Sequence, residues 1–187
     1  MELIKREGDI FIINNVLSPE ECSAIINECE EKGNLRDSTI LGERYQQAAS
    51  RLRTSQQVGI TVNPALAEVN SKLFDAYGKG MNKLFTESNI DTTVFSVIDE
   101  GYTLLKYSVG GKYGLHVDDT GQGNRKISIL LYLNDDYEGG ETAFPRQGVT
   151  HKGKTGSLIF FPSGWTHPHE SKPLLAGTKY ATITWLF

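Results

Sequence analysis

The chain lacks any apolar run approaching the ~20 residues needed to cross a bilayer as a helix. Its opening, MELIKREGDIF, also has no apolar core of the kind a secretory signal carries. No membrane partner is expected, and the cytoplasm is the expected compartment. Basic clusters are missing too: no run of Lys or Arg exceeds two residues and the net charge is −4, so nothing electrostatic points to nucleic acid. Cysteine is scarce. The two that occur, Cys22 and Cys29, fall within one predicted helix, about 10 Å apart along its axis, too far for a disulfide. They are expected to be reduced packing residues. Repeats and low-complexity tracts are absent. At 187 residues, 39% hydrophobic and 22% charged, the composition is that of a single globular domain spanning 1–187. Helical support is expected over about 1–90 and a β core over about 92–187. The sequence leaves the oligomeric state open.

Residues 9–17, DIFIINNVL, predict a short strand. In SPEECSAIINECEEKG, Ser18 and Glu21 have capping-box spacing, Pro19 suits the first helical position and Gly33 the stop. Leu17, Cys22, Ile25, Ile26 and Cys29 form the apolar face. Residues 34–57 are polar and irregular, a long loop feeding a strand, with 36–50 a candidate lid. A second helix is expected from about Pro64 to Phe85, with Leu66, Val69, Leu73, Tyr77, Met81 and Leu84 on one face and Gly78 and Gly80 in its interior. From residue 92 the texture changes to short β-type runs: TVFSVI, YTLLKYSV, KISILLYL, TAF, SLIFF and KYATITWLF. With no long helix between them, these runs predict antiparallel sheets, a sandwich or jelly roll buttressed by the two helices.

The stretch GGKYGLHVDD, residues 110–119, could carry chemistry. If 113–118 is extended, His116 and Asp118 project to the same side and offer a nitrogen and an oxygen ligand from one segment. Asp119 would then face the other way, as a solvated acid beside the site. A third ligand must come from His151, His167 or His169. His151 sits in the hydrophilic turn GVTHKGKTG and reads as a solvated surface residue, whereas FFPSGWTHPHES follows an apolar strand and holds the other two. A regular strand would turn His167 and His169 to the same face, so both remain candidates on spacing. Two histidines and one carboxylate leave adjacent coordination positions open and suit non-haem Fe(II). Zinc is the rival, since the same ligands serve it in hydrolytic sites. Lys179 opens an otherwise apolar strand, where a lone ammonium is costly without an anion. An organic dicarboxylate would meet that need.

The blocks RTS, LLKYSVGGKYGLHVD, RKISILLYLNDDYEGGETAFP, GSLIFFP and HESKPLLAGTKYATITW run in order from Arg53 to the C-terminus. In this set the chain resembles the prolyl 4-hydroxylase branch of the 2-oxoglutarate- and Fe(II)-dependent dioxygenases. The resemblance implies a mainly β double-stranded β-helix (jelly roll) of antiparallel sheets with buttressing helices. It implies that His116, Asp118 and a downstream histidine bind iron. The ten-residue spacing to the lysine in this branch selects His169. It further implies that Lys179 pairs with the distal carboxylate of 2-oxoglutarate, helped by Tyr107 and Thr142, and that Tyr113, Arg125 and Trp185 lie near a peptide substrate. The implied activity is hydroxylation of an unactivated C–H, of prolyl residues in a peptide or protein, using O2 and releasing succinate and CO2, with ascorbate a candidate reductant. A carboxylate at Asp118 favours hydroxylation over halogenation. The short Asp118–Arg125 connection and the compact Phe144–Gly156 segment depart from larger relatives in the elements that frame a substrate. The same chemistry on another side chain or a small metabolite, a zinc- or nickel-binding jelly roll, and a non-catalytic module are the alternatives.

Overall fold

The structure, a computed structural model, describes residues 1–6, 8–38, 52–94, 96–119, 121 and 124–187. Helix α1, Pro19–Lys32, begins as its sequence dictates: Ser18 Oγ accepts from the Glu21 N–H at 3.2 Å and Glu21 Oε2 accepts from the Ser18 N–H at 2.7 Å. Gly33 ends it in a helical conformation, and the turn itself falls on Asn34, at φ 52°. Cys22, Ile25 and Cys29 are buried beneath it. Burial, with nearby glutamates, pushes both thiols up to about 12, so the cysteines are inert packing groups.

Helix α2, Ala67–Glu87, follows a 3-10 turn at Pro64–Leu66 that the Asn63 side chain caps. Its inner face buries Val69, Leu73, Ala76, Tyr77, Gly80 and Leu84, and Met81 packs partly against the same core. The two glycines differ in kind. A Cβ at Gly80 would lie 2.2 Å from Leu158 Cδ1, whereas one at Gly78 would meet nothing within 4 Å. Gly80 therefore lets the helix approach the sheet, while Gly78 faces open space.

Among the described residues every strand pairing is antiparallel. An eight-stranded sheet runs in the order Glu2–Arg6, Ile10–Asn14, Leu158–Pro162, Ile127–Tyr132, Lys179–Leu186, Thr103–Tyr107, Gln56–Gly59 and Arg36–Asp37. A five-stranded sheet runs Val149–His151, Thr142–Phe144, His169–Ser171, Lys112–His116 and Arg53–Thr54. Alternation along the large sheet sorts its side chains. Ile129, Leu131, Leu158 and Phe160 join the core beneath the helices, while Tyr132, Ile159, Phe161 and Ala181 pack on the other face with Phe144 from the second sheet. A Tyr77–Thr182 hydroxyl contact at 2.9 Å ties α2 to the sheet.

Four sequence expectations change. The strand at 93–98 does not form among its described residues; Thr92–Val94 is a 3-10 turn, because the Asp91 carboxylate accepts from the Thr93 N–H at 2.9 Å and hydroxyl at 2.6 Å and so competes with a ladder. The extended run at 113–118 stops at His116. Glu2–Arg6 forms an unexpected edge strand, pairing with Ile10–Asn14. The segment 34–57 contributes three short strands, and most of the candidate lid, 39–50, lies outside the described residues.

The contrast within α2 is testable by urea unfolding. Gly78→Ala stabilises the protein by about 0.5–1 kcal/mol, the ordinary gain in an exposed helix interior. Gly80→Ala destabilises it by about 1–3 kcal/mol, because the methyl displaces Leu158. Effects of the same sign would contradict this packing of α2 on the sheet.

Candidate active site

Between the two sheets, His116 and His169 sit opposite each other in antiparallel register. Asp118 follows just beyond the first of these strands, its backbone N–H bonded to the Ser163 carbonyl at 3.0 Å. Its Oδ1 lies 3.4 Å from His116 Nε2 and its Oδ2 3.6 Å from His169 Nε2. One ligand atom from each of the three residues falls within 4.8 Å of the others. Each imidazole is oriented by a carbonyl: His116 Nδ1 meets the Gly114 oxygen at 2.8 Å and His169 Nδ1 the His167 oxygen at 3.1 Å. A proton on Nδ1 leaves Nε2 with its lone pair toward the shared centre, as metal ligation requires.

A β-bulge shapes this wall. His169 pairs with His116 but Ser171 pairs with Tyr113, so the Lys112–His116 strand carries one residue more than its partner. In a regular strand Tyr113 and His116 would face opposite ways. The bulge brings them to one side, where their rings stack at 3.5 Å between centroids and 14° between planes.

Protonation states also suit a cation. Burial alone would raise the Asp118 carboxyl, but His169, His116 and the Ser128 hydroxyl outweigh it and hold Asp118 well below the usual carboxylate range. Burial lowers His169 to about 4, with Asp118 pulling the other way. At neutral pH the set is thus a carboxylate facing a neutral imidazole. Two imidazole nitrogens and one carboxylate oxygen within 4.8 Å of one another fit Fe(II) by donor type.

The other two histidines are occupied elsewhere. His167 Nε2 donates to the Gly8 carbonyl and its Nδ1 accepts from Thr166 Oγ1 at 2.9 Å. It does not share a strand face with His169, because that strand begins only after Pro168. His151 is not the solvated turn residue expected from its neighbours. It closes a short strand and packs edge-on against Tyr132 at 5.6 Å.

Lys179 is 2% exposed, and its Nζ donates to the Gly140 carbonyl at 2.6 Å and reaches Ser171 Oγ at 3.4 Å. The rings of Tyr107, Tyr132 and Tyr137 surround it at 5.4, 5.5 and 6.0 Å. Among the described residues it forms no ion pair. Burial depresses it to about 8, partly offset by Glu141. Thr142 stands in the same wall, its Oγ1 2.8 Å from the Tyr132 hydroxyl, and Tyr107 is fully buried with Ser55 and Arg53 near its hydroxyl. Tyr132 and Tyr137 were not singled out from the sequence. Tyr132 could have been, as the aromatic on the inward alternation of ISILLY; Tyr137 lies outside any strand and gave no such signal.

The three residues expected at the substrate side lie at the rim. Tyr113 carries the Arg53 guanidinium 4.7 Å above its ring, with His116 stacked on it as well. Arg125 lies 3.5 Å over the Trp185 ring, forms a two-point bond to Glu100 at 2.6 Å and 2.6 Å, and reaches the Asp118 carbonyl at 3.5 Å. Trp185 Nε1 is buried and has no hydrogen-bond partner among the described residues. Arg53 and Glu100 had no role assigned from the sequence.

The family model described as the 2OG-Fe(II) oxygenase superfamily matches residues 102–187. Over 222 aligned residues the chain is 27% identical to "Probable prolyl 4-hydroxylase 10" of Arabidopsis thaliana, covering 100% of this chain and 71% of the relative. Its fold is similar to that of a viral collagen prolyl hydroxylase from Paramecium bursaria Chlorella virus-1, solved as a 2OG complex. The TM-score is 0.71 at 23% identity, over 95% of this chain and 94% of that one. It is also similar to a Trichoplax adhaerens prolyl hydroxylase solved with a hypoxia inducible factor oxygen degradation domain peptide fragment. There the TM-score is 0.75 at 20% identity, over 95% and 83% of the two chains. The jelly-roll fold expected from the sequence is thereby shown.

Metal titration of the oxygen-free apoprotein tests the ligand set. His116→Ala, Asp118→Ala and His169→Ala each weaken Fe(II) or Co(II) binding by more than the ~10–100-fold that an outer partner of a ligand is worth. His167→Ala stays within a few-fold of the parent, as its nitrogens are bonded elsewhere. Loss of binding in His167→Ala with retention in His169→Ala would reverse the ligand choice.

Proposed function

We propose that the chain is a prolyl 4-hydroxylase-like member of the 2OG-Fe(II) oxygenase superfamily, a reading supported by the family match and the plant relative, and that its substrate is a prolyl residue in a peptide or protein. The whole chain acts as one domain, with His116, Asp118 and His169 holding Fe(II) and Lys179 holding the distal carboxylate of 2-oxoglutarate. The observation that carries the reading is the buried Lys179 ammonium, which forms no ion pair among the described residues and faces the same intersheet space as a two-histidine, one-carboxylate set. A zinc hydrolase would have no use for that cation.

Bound Fe(II) and 2-oxoglutarate supply the oxygen-activating chemistry, in which O2 is consumed, 2-oxoglutarate becomes succinate and CO2, and a C–H is hydroxylated. The protein contributes charge, position and shelter. Asp118 offers an anionic oxygen and the two histidines a nitrogen each, so a bound metal would gain one compensating negative charge from the chain. Lys179, fixed by Gly140 and ringed by tyrosines, meets the far carboxylate of the co-substrate and sets its depth. Tyr107 and the Thr142–Tyr132 pair present hydroxyls to the same carboxylate. Phe144 and Phe161 pack around His169 and keep water from that side of the centre. Tyr113 and Trp185, capped by Arg53 and Arg125, form a rim past which an extended, proline-containing segment can run. Peptide substrates are supported by the Trichoplax relative, whose structure holds a peptide fragment.

Anaerobic addition of Fe(II) and 2-oxoglutarate gives a weak visible charge-transfer band that His116→Ala removes, and proline-containing peptides stimulate succinate release. Absence of the band with metal bound would sink the dioxygenase reading of this site. Lys179→Ala raises the KM for 2-oxoglutarate by about tenfold or more, in line with the ~1.5–3 kcal/mol typical of a charge-assisted hydrogen bond. It leaves Fe(II) affinity unchanged.

The pH dependence has a definite sign. Lys179 loses its proton as the pH rises through about 8 in the co-substrate-free protein, and carboxylate binding above that point requires proton uptake. The KM for 2-oxoglutarate therefore climbs on the alkaline side of about 8 and is flat below it. A KM independent of pH between 7 and 9.5 would show that Lys179 does not carry the carboxylate.

A further inference from the structure

Ser128 is the second residue of Ile127–Tyr132, a strand whose intersheet face is otherwise filled by Leu130 and Tyr132, and it is wholly buried. Its Oγ lies 2.6 Å from Asp118 Oδ2. Behind it stands a second wholly buried serine, Ser163, with Oγ 2.8 Å from Ser128 Oγ. The direction of the protons follows from the chemistry. An ionised carboxylate can only accept, so Ser128 donates to Asp118, and the remaining contact is satisfied only if Ser163 donates to Ser128. The chain of donation runs Ser163 to Ser128 to Asp118, each bond polarising the next in a water-poor interior. Ser163 also holds the other end of the same residue: its carbonyl accepts the backbone N–H groups of Asp118 and Asp119, each at 3.0 Å.

We propose that Ser128, backed by Ser163, is a positioning pair for the metal-binding carboxylate: it engages Oδ2 and so presents Oδ1 to the cation as a single, fixed ligand atom. This rests on the reading of His116, Asp118 and His169 as the metal site. Oδ1 is the oxygen on the His116 side, 3.4 Å from Nε2, and the described structure gives it no hydroxyl donor. Asp118 lies outside any strand, so a ladder does not fix its side chain. Without the serine bond the carboxylate could rotate or bind through both oxygens, closing a position the co-substrate or O2 needs. A side chain that merely filled space here could be alanine. The hydroxyl is what the carboxylate uses.

The test is Mn(II) affinity of the oxygen-free apoprotein, by titration, beside the thermal midpoint of the same apoprotein. Ser128→Ala weakens Mn(II) binding about tenfold or more, the usual worth of a group that orients a metal ligand, and shifts the charge-transfer band of the Fe(II) and 2-oxoglutarate complex. Ser163→Ala leaves Ser128 free to donate and weakens Mn(II) about two- to threefold. It serves as the reading if Ser128→Ala does not fold. Ser128→Thr, which keeps a hydroxyl, restores most of the affinity. Serines with a packing role alone would lower the midpoint of both alanine variants and leave Mn(II) affinity within the error of the parent, and that result overturns the proposal. If Asp118→Ala binds Mn(II) as tightly as the parent, it is the metal-site reading that fails.

Discussion

The site depends on one strand pairing. His169 lies across from His116 in an antiparallel ladder, and that single register pair, with the bulge beside it, brings two imidazoles and a stacked tyrosine to one wall. Side-chain direction in a strand has a period of two, so a slip of one residue would turn His169 out of the interior. Several constraints prevent the slip. His169–Ser171 is paired on its far side with Thr142–Phe144, where Thr142 faces Ser171, and Phe144 and Phe161 pack against the His169 ring. The register that aligns the two histidines thus also sets Thr142 across from Ser171, whose hydroxyl Lys179 reaches at 3.4 Å.

Two charges of opposite sign are buried in this apolar interior, and the protein treats them differently. Asp118 is surrounded by groups that favour its anion, two histidine nitrogens and the Ser128 hydroxyl, and its backbone N–H is anchored on the Ser163 carbonyl. Lys179 receives a carbonyl, a hydroxyl and three aromatic faces, but no carboxylate within ion-pair distance among the described residues, Glu141 acting on it from beyond that distance. Burying a cation so incompletely paired opposes folding. The depression of Lys179 to about 8 registers that cost, and it is a cost an anionic ligand would relieve on binding. On the proposed reading, the stability forgone in the free protein returns as affinity for a ligand whose far carboxylate reaches Lys179.

Which parts of this were legible in the sequence follows from how local their causes are. The capping box at Ser18 and Glu21, the three- and four-residue spacing in α2 and the strand alternation of ISILLY are written in neighbouring residues and appear where expected. His116, Asp118 and Lys179 stood out because a histidine, a carboxylate and a lysine at such positions need a partner. The choice of His169 over His167 needed the resemblance, since spacing two apart cannot separate them. In the structure it turns on where a strand begins after Pro168 and on the carbonyl of Gly8, a residue far away in the chain. The bulge, the Ser128–Ser163 pair and the Tyr137 wall are likewise products of strands distant in sequence. The Asp91 turn that replaces an expected strand was local, but β propensity in TVFSVI masked it.

The rim and the candidate metal site share packing contacts. Arg53 lies on Tyr113, Tyr113 on His116, and His116 beside His169, an unbroken stack from the substrate side to the ligand nitrogens. On the opposite side Arg125 covers Trp185, is neutralised by Glu100 and touches the carbonyl of Asp118 itself. The side chains expected at the substrate side are thus in packing contact with the candidate ligand residues themselves.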